Sequence, residues 1–423
     1  MNKKIELKNI FTPGSQPDVT YNDRLGIGLE EQLEQLVYFD GQLGVVAGKS
    51  KLGKTVLVKR KFPSNEAIFI YELDLKDKSI EEVIYERLDI ERPVKTRTSY
   101  TNSSFGSEVE VGTSLESIPF LKFLQAKGSL KGGVSKQNGT EVKYTASSDL
   151  FQLAIEYLIT NKIKLIFDDF HYINPQQQKD IIHRLKEPIS RGLHVILILI
   201  PMRQNQPIEV ETDMKGRVQY VEVPAWSNEE LGYIASKGFK ELNAEISEKL
   251  LTSFVENSFK NPYLMQKICA QYCLTKGIKE RSKEKISFEY DKNEVEKIYK
   301  LINTGENETV RKLREGKPTK GKRRNLYSLK DGTDADIYTI LIKVLSKLCH
   351  HDKIAYTDFV EEIRKSLAED KTIQNNQITN TLKSISEIAE NINPKEPVVI
   401  FKDNQIMIDN DMFRFSLRWG QIK

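Results

Sequence analysis

The sequence predicts an α/β protein built on a parallel, helix-covered sheet, and three observations carry that prediction. Short apolar runs near residues 45, 69, 166, 197 and 220 alternate with amphipathic stretches of helical period, as strands buried on both faces and their crossover helices do. The run Leu43-Gly-Val-Val-Ala47 leads through Gly48-Lys-Ser-Lys-Leu-Gly-Lys-Thr55 into a helix, and a Gly, four free positions, then Gly-Lys-Thr is the spacing of a phosphate-cradling loop. Lys164-Leu-Ile-Phe-Asp-Asp-Phe170 is an apolar strand that ends on paired carboxylates.

Length and charge set the bounds. A chain of 423 residues has room for two or three cores. Charged residues at 29% and hydrophobic residues at 39% are an ordinary globular composition. The longest apolar run, Val195 to Ile200 with Leu193 before it, is far too short to cross a bilayer. Met1-Asn-Lys-Lys-Ile-Glu6 has no apolar signal core, so a cytoplasmic protein with no membrane partner is expected. Cys269, Cys273 and Cys349 are odd in number and sit in apolar helical patterns, which reads as reduced core thiols. His350 and His351 adjoin only Cys349, so no structural metal site is expected.

The loop carries the chemistry. Gly48 and Gly53 let the backbone bend around an anion, so that successive N–H groups and the helix N-terminus point at phosphate. The expected nucleotide-binding set is therefore Gly48, Lys49, Ser50, Lys51, Leu52, Gly53, Lys54, Thr55 and Val56. Lys54 would reach the β- and γ-phosphates of ATP, and Thr55 would put its hydroxyl on Mg²⁺. In such a fold Asp168 shares the Mg²⁺ shell with Thr55, and Asp169 polarises the attacking water. These two carboxylates are the expected catalytic pair, and ATP and Mg²⁺ are the expected cofactors.

The remaining elements follow in order. Residues 1–24 form a lead segment with a turn at Phe11-Thr-Pro-Gly14. Either this arm packs on the first domain, or Phe11 to Pro13 lies against the nucleotide base. A helix is expected from about Leu29 to Phe39, a strand from Ala67, and a Ser79-capped helix to about Leu88. Residues 93–147, rich in Ser, Thr, Gly and Lys, read as an insertion at the edge of the core, with a hairpin signal at Asn138-Gly139. It is either solvated loop or a partner contact. Helices from about Ser147 to Asn161 and Pro175 to Glu187 flank the carboxylate strand, and the next strand, Leu193 to Ile200, ends at Pro201-Met-Arg203. Arg203 thus emerges at the carboxyl edge of the sheet, either as a γ-phosphate sensor or as a solvated loop arginine. Arg217, ahead of the strand Val218 to Val223, is a weaker candidate to act on a neighbouring subunit's nucleotide in a homo-oligomer.

From Pro224 the pattern turns helical. Ser227-Asn-Glu-Glu230 fits a capping box, a helix covers about Ile246 to Asn257, and Asn261-Pro262 opens another. Together the phosphate loop, the Asp168-Asp169 strand, the strand ending at Arg203 and a helical lid bearing Asn261-Pro262 resemble the AAA-type and STAND (signal-transduction ATPase) branch of phosphate-loop NTPases. The Phe-Thr-Pro-Gly lead and the Asn261-Pro-Tyr-Leu264 lid are similar to bacterial STAND-like ATP-binding proteins, and archaeal origin-recognition ATPases share the layout. The resemblance implies that Pro262 touches adenine and that Arg203 senses the nucleotide. Many AAA members have Glu where this chain has Asp169, and the shorter carboxylate implies slow hydrolysis suited to a switch.

Towards the carboxyl end, Arg311, Lys312, Arg314, Lys317, Lys320, Lys322, Arg323, Arg324 and Lys330 concentrate the net charge of +4. Such a stretch either binds phosphate backbones or is a solvated linker. The last ninety or so residues read as a winged helix, with helices at Asp334 to Cys349, Thr357 to Leu367 and Ile373 to Ile392 and a wing of Pro397 to Phe401 and Gln405 to Ile408. Asn375, Asn376, Gln377, Asn380 and Lys383 are its candidate base-reading residues.

The expected architecture is therefore an α/β, parallel-sheet P-loop NTPase core over residues 1–223, a helical lid over 224–300, a basic linker over 301–333 and a C-terminal winged-helix domain over 334–423. Two functions remain open. One is an ATP-binding, slowly hydrolysing switch in bacterial signalling or defence with an unknown protein partner. The other is a DNA-binding ATPase of origin-recognition or transposition type that uses the basic linker and winged helix.

Overall fold

A computed structural model describes residues 5–89, 107–111, 119–127, 130–133, 142–146, 150–200, 216–303, 307–319, 321, 323–369 and 371–420. The chain divides into a sheet unit, residues 25–48 and 54–223, and a helical unit, residues 1–24, 49–53 and 224–423. It opens in the helical unit with α1 (Leu7–Ile10) and then builds the sheet unit.

The sheet unit contains α2 (Leu29–Leu36), β1 (Leu43–Ala47), α3 (Lys54–Lys61), β2 (Ala67–Ile70) and α4 (Ile80–Arg87). The insertion adds β3 (Ser107–Val111), α5 (Pro119–Ala126), β4 (Leu130–Gly133) and β5 (Val142–Ala146), and the core resumes with α6 (Leu150–Thr160), β6 (Lys164–Phe167), α7 (Pro175–Ser190), β7 (Val195–Leu199) and β8 (Val218–Glu222). Local chemistry sets the boundaries. Ser79 and Glu82 exchange both bonds of a capping box at the start of α4, and Asn174 caps α7 ahead of Pro175. α7 runs past the Glu187 end expected from sequence and closes at Ser190, with Pro188 in its last turn.

The central sheet has the order β2-β6-β7-β1-β8 and is parallel throughout. Every residue of β1 and β7 is buried, because parallel strands covered by helices on both faces have no solvent side. At mid-sheet Val45 faces Leu197 of β7 on one side and Tyr220 of β8 on the other. β7 thus separates the loop strand β1 from the carboxylate strand β6. In the insertion, β3, β5 and β4 form an antiparallel sheet in that order, with Lys131 opposite Thr145. The turn expected at Asn138-Gly139 lies outside the described residues. α5 joins the core through the rings of Phe120 and Phe123, each 5.4 Å from Tyr157.

The helical unit continues with α8 (Asn228–Glu241), β9 (Ala244–Ile246), α9 (Glu248–Asn257), α10 (Pro262–Thr275), β10 (Ile286–Phe288) and α11 (Lys292–Ile302). The Ser227/Glu230 capping box starts α8, and β9 pairs with β10 in parallel. Phe239, Phe254, Tyr272 and Phe288 pack edge to face or tilted around one core. Phe11 is buried against this cluster, 5.4 Å from Phe239, so the arm packs on this core through its aromatic residue. Cys269, Cys273 and Cys349 are free and buried; burial pushes the Cys273 thiol up to about 12 and the Cys349 thiol up to about 11.

Residues 301–333 carry α12 (Asn307–Glu315) and β11 (Leu326–Ser328), which pairs with β12 (Asp334–Asp336). The C-terminal module follows as α13 (Ile337–Leu348), β13 (Lys353–Ala355), α14 (Tyr356–Ser366), α15 (Asn375–Ile392), β14 (Ile400–Lys402), β15 (Gln405–Met407) and α16 (Asp411–Trp419). Its antiparallel sheet has the order β13-β15-β14. Asp403 and Asn404, at φ of 51° and 56°, form the two-residue turn between β14 and β15, where both central positions need left-handed backbone. Among the described residues no helix is long and apolar enough to cross a membrane.

Candidate functional site

Gly48 follows the last residue of β1, where the backbone of Val223 passes close by. The Val223 N–H donates to the Ala47 carbonyl at 2.7 Å, and a Cβ added at Gly48 would stand 2.6 Å from the Val223 carbonyl oxygen. Glycine is required here by proximity, since no side chain fits against that backbone. Lys54 opens α3 with its side chain buried, and its Nζ donates to the Gly48 carbonyl at 3.0 Å. The next residue, Thr55, donates its Oγ1 hydroxyl to Asp168 Oδ1 at 2.8 Å. That bond joins the first turn of α3 to the residue that follows β6.

Asp168 is 5% exposed. Burial pushes its carboxyl above the ordinary range, against the pull of the Thr55 hydroxyl and of the Lys59 and Lys54 charges. Its N–H donates to the Ile70 carbonyl at 2.9 Å, which anchors the end of β6 to β2. Asp169 is exposed, at φ 52°, and its carbonyl accepts the Tyr172 N–H at 2.9 Å. A left-handed aspartate costs little compared with a branched residue, and it turns the chain sharply at the strand end.

Residues 49–53 belong to the helical unit. Leu52 is buried, and its carbonyl accepts the Trp226 indole N–H at 3.1 Å. Above Trp226, at 4.9 Å from its ring, lies the Arg24 guanidinium, itself 5% exposed. Arg24 donates to Glu230 at 2.8 Å and to the carbonyls of Pro224 and Ala225 at 3.0 and 3.1 Å. Lys51 is left-handed at φ 60° and its ammonium lies 4.8 Å from the Tyr263 ring centre. Gly53, at φ 91°, occupies backbone space that favours glycine. Lys49 pairs with Asp352 at 2.8 Å, and Ser50 and Val56 are half-buried.

The structure brings together Gly48, Lys54, Thr55 and Asp168, with Asp169 adjacent in chain but facing solvent. Pro262 belongs to the helical unit, buried at the first position of α10, and Asn261 Oδ1 accepts the N–H groups of Tyr263 and Leu264. Arg203 lies outside the described residues. Arg217 is exposed, and its carbonyl accepts the Leu43 N–H at 2.8 Å. Sequence reasoning missed Arg24, Trp226 and the ion pair of Lys49. Arg24 and Glu230 are 206 positions apart, so no local pattern could have paired them.

The donor set suits a hard divalent cation, because Thr55 and Asp168 offer oxygen alone. Among the described residues no group of three or more His, Cys, Asp or Glu could cage a metal; a cation held here would share its shell with an oxygen-rich ligand. A buried ammonium at Lys54 beside a glycine turn suits that ligand being a polyphosphate.

No protein-family model matches the chain, and no curated protein matches it. Among solved structures it is similar to the Walker-type ATPase PABY2304 of Pyrococcus abyssi, at 13% identity and a TM-score of 0.49, covering 92% of this chain and 94% of that one. Cdc6p from Pyrobaculum aerophilum is 15% identical with a TM-score of 0.42 over 99% of this chain and 98% of that one. The Aeropyrum pernix Orc1 protein, solved in complex with DNA, is 11% identical with a TM-score of 0.42 over 100% and 98%. These are likenesses of general layout, and the functional reading rests on the chain's own residues.

Proposed function

We propose that this chain binds ATP with Mg²⁺ at Gly48–Thr55 and hydrolyses it slowly, as a switch of STAND or AAA-like type. The observation that carries this reading is the 2.8 Å bond from Thr55 to Asp168 beside the buried Lys54. The backbone amides of the loop and the Lys54 ammonium hold the phosphates, and Thr55 and Asp168 hold Mg²⁺. Mg²⁺, when bound, neutralises charge on the phosphate oxygens. Burial raises the proton affinity of Asp168, and the Thr55 hydroxyl and the Lys59 and Lys54 charges oppose that rise. Asp169, one residue on and open to solvent, orients and deprotonates a water. Its short side chain and its place at a sharp turn support a low rate. The adenine contact of Pro262 and the sensor role of Arg203 rest in this reading on the sequence resemblance alone.

The C-terminal module is a winged helix in this reading, supported by its order of helix, strand, two helices and two strands. A DNA-binding role has one observation in its favour: Asn375, Asn376, Gln377, Asn380 and Lys383 are exposed on the first turns of α15. Against it, four of the nine basic residues before the module pair with carboxylates. Arg311 pairs with Glu315, Lys312 with Glu308, Lys317 with Glu387 and Arg324 with Asp336, so they offer little uncompensated charge to a phosphate backbone. The switch is the conclusion.

The test is ATP binding by calorimetry and ATP turnover, with and without duplex DNA at two salt concentrations, in the wild type and in Lys54→Ala. The expectation is slow turnover indifferent to DNA, and an affinity loss in Lys54→Ala of about tenfold or more, as a charged hydrogen bond carries. Unchanged affinity in Lys54→Ala removes the loop from nucleotide binding. Turnover raised by DNA and suppressed by salt gives the case to the DNA reading.

A further inference from the structure

Two aromatic side chains of the helical unit grip the loop segment 49–53. Trp226 donates its indole N–H to the Leu52 carbonyl in a buried bond of 3.1 Å, and the Tyr263 ring centre lies 4.8 Å from the Lys51 ammonium. Trp226 is itself firmly held. Its backbone N–H donates to the Lys260 carbonyl at 3.3 Å, and the Arg24 guanidinium covers its ring while donating to the carbonyls of Pro224 and Ala225. One oxygen of Glu230 accepts Arg24 Nε, and the other accepts the Ser227 N–H. The turn that presents the indole is thus tied by hydrogen bonds at every residue from 224 to 227.

The indole bond sets the direction of a peptide plane. In a trans peptide the carbonyl of one residue and the N–H of the next point in opposite directions, and among the described residues there is no cis peptide bond. Because the Leu52 carbonyl is held towards Trp226, the Gly53 N–H is turned to the opposite face of the loop. Gly53, at φ 91°, takes up this orientation without the strain that a side chain would bring. The indole has only this one N–H to give. Removing it leaves a buried carbonyl with no donor, which is costly, and the peptide is then free to turn in search of another. Any such turn carries the Gly53 N–H away from its present direction.

We propose that Trp226 is a positioning residue for phosphate: by holding the Leu52 carbonyl, its indole N–H aims the Gly53 N–H at the bound polyphosphate. The proposal rests on the nucleotide reading above. Trp226 acts one peptide away from the ligand, through the loop backbone. A donor already aimed at the anion does not have to be ordered when the anion arrives, so the indole raises affinity by preorganisation.

The test is binding of ATP, inorganic tripolyphosphate and adenosine, each with Mg²⁺, by calorimetry in the full chain. The proteins are the wild type, Trp226→Phe, and a chain carrying benzothienylalanine in place of Trp226. Benzothienylalanine keeps the size of the ring system and replaces the N–H with sulfur, so it stands if Trp226→Phe folds poorly. Both variants are expected to bind ATP and tripolyphosphate about three- to tenfold more weakly, the worth of one hydrogen bond, while adenosine binding is unmoved. Equal ATP affinity in all three proteins overturns the role of the indole and leaves the nucleotide reading intact. A loss as large for adenosine as for ATP also overturns it, because a loosened site would weaken every ligand and a misdirected Gly53 N–H weakens only those with phosphates. Absence of ATP binding in the wild type overturns both readings.

Discussion

Gly48→Ala tests the geometry of the site directly, because the cost can be worked from one contact. The added methyl would stand 2.6 Å from the Val223 carbonyl oxygen and 3.3 Å from the Val223 Cβ. Relief requires a shift of at least about 0.4 Å, from 2.6 Å to the 3.0 Å below which real Cβ contacts are essentially never found. Neither side yields cheaply. Val223 is held by its bond to Ala47 at 2.7 Å, and β8 is in register with β1 along its whole length. Overpacking of this kind costs ~1–3 kcal/mol, which for a unit of this size lowers the melting temperature by ~2–12 °C. If instead the loop moves, the Gly48 carbonyl leaves Lys54 and ATP affinity falls. Gly26→Ala is the control in the same unit, since nothing lies within 4 Å of the position its Cβ would take. The assay is thermal unfolding paired with ATP calorimetry. A Gly48→Ala protein that melts with the wild type and binds ATP equally well would refute the close approach of Val223 and the steric reason for glycine.

Asp169→Asn is expected to keep ATP bound while turnover drops by ~10²–10⁴, measured as single-turnover phosphate release; wild-type turnover by that variant excludes Asp169 as the base. Gly238→Ala would drive a methyl to 2.3 Å from the Phe11 ring, so urea unfolding should show a loss of ~1–3 kcal/mol, and Phe11→Ala should cost less in that background than in the wild type. Stability should also decline as pH falls through 6.5. Burial holds His194 below its ordinary 6.5, with Asp40 pulling the other way, and burial with the nearby Arg418 charge holds His350 below 6.5 as well. The unfolded chain then takes up these protons first, so stability is full above pH 6.5 and is lost below it. Chemical unfolding from pH 7.5 to 5.5 checks this, and the slope should shrink in His194→Gln; an unaltered slope there would contradict the assignment.

Much of the fold was legible in the sequence because its signals are local. Five apolar runs announced the strands, and Ser79, Ser227 and Asn261 announced helix starts. Each depends on residues within a few positions of one another, where backbone sterics and capping bonds decide. The loop from Gly48 to Thr55 and the carboxylates at Asp168 and Asp169 were visible for the same reason. The residues 301–333 were harder. Their cations dominate the composition, while the apolar positions that fold α12, Val310 and Leu313, are few.

By itself the sequence determined an α/β chain with a glycine turn of phosphate-loop spacing, a carboxylate strand and a helical carboxyl half, since periodicity and spacing are properties of neighbouring residues. Only the tertiary structure decided the strand order that interposes β7 between β1 and β6, the meeting of Thr55 with Asp168, the burial of Arg24 over Trp226, and the pairing of Lys49 with Asp352. These join positions more than a hundred residues apart. Which distant charge or hydroxyl a side chain meets is set by how the elements pack, and no local propensity encodes it.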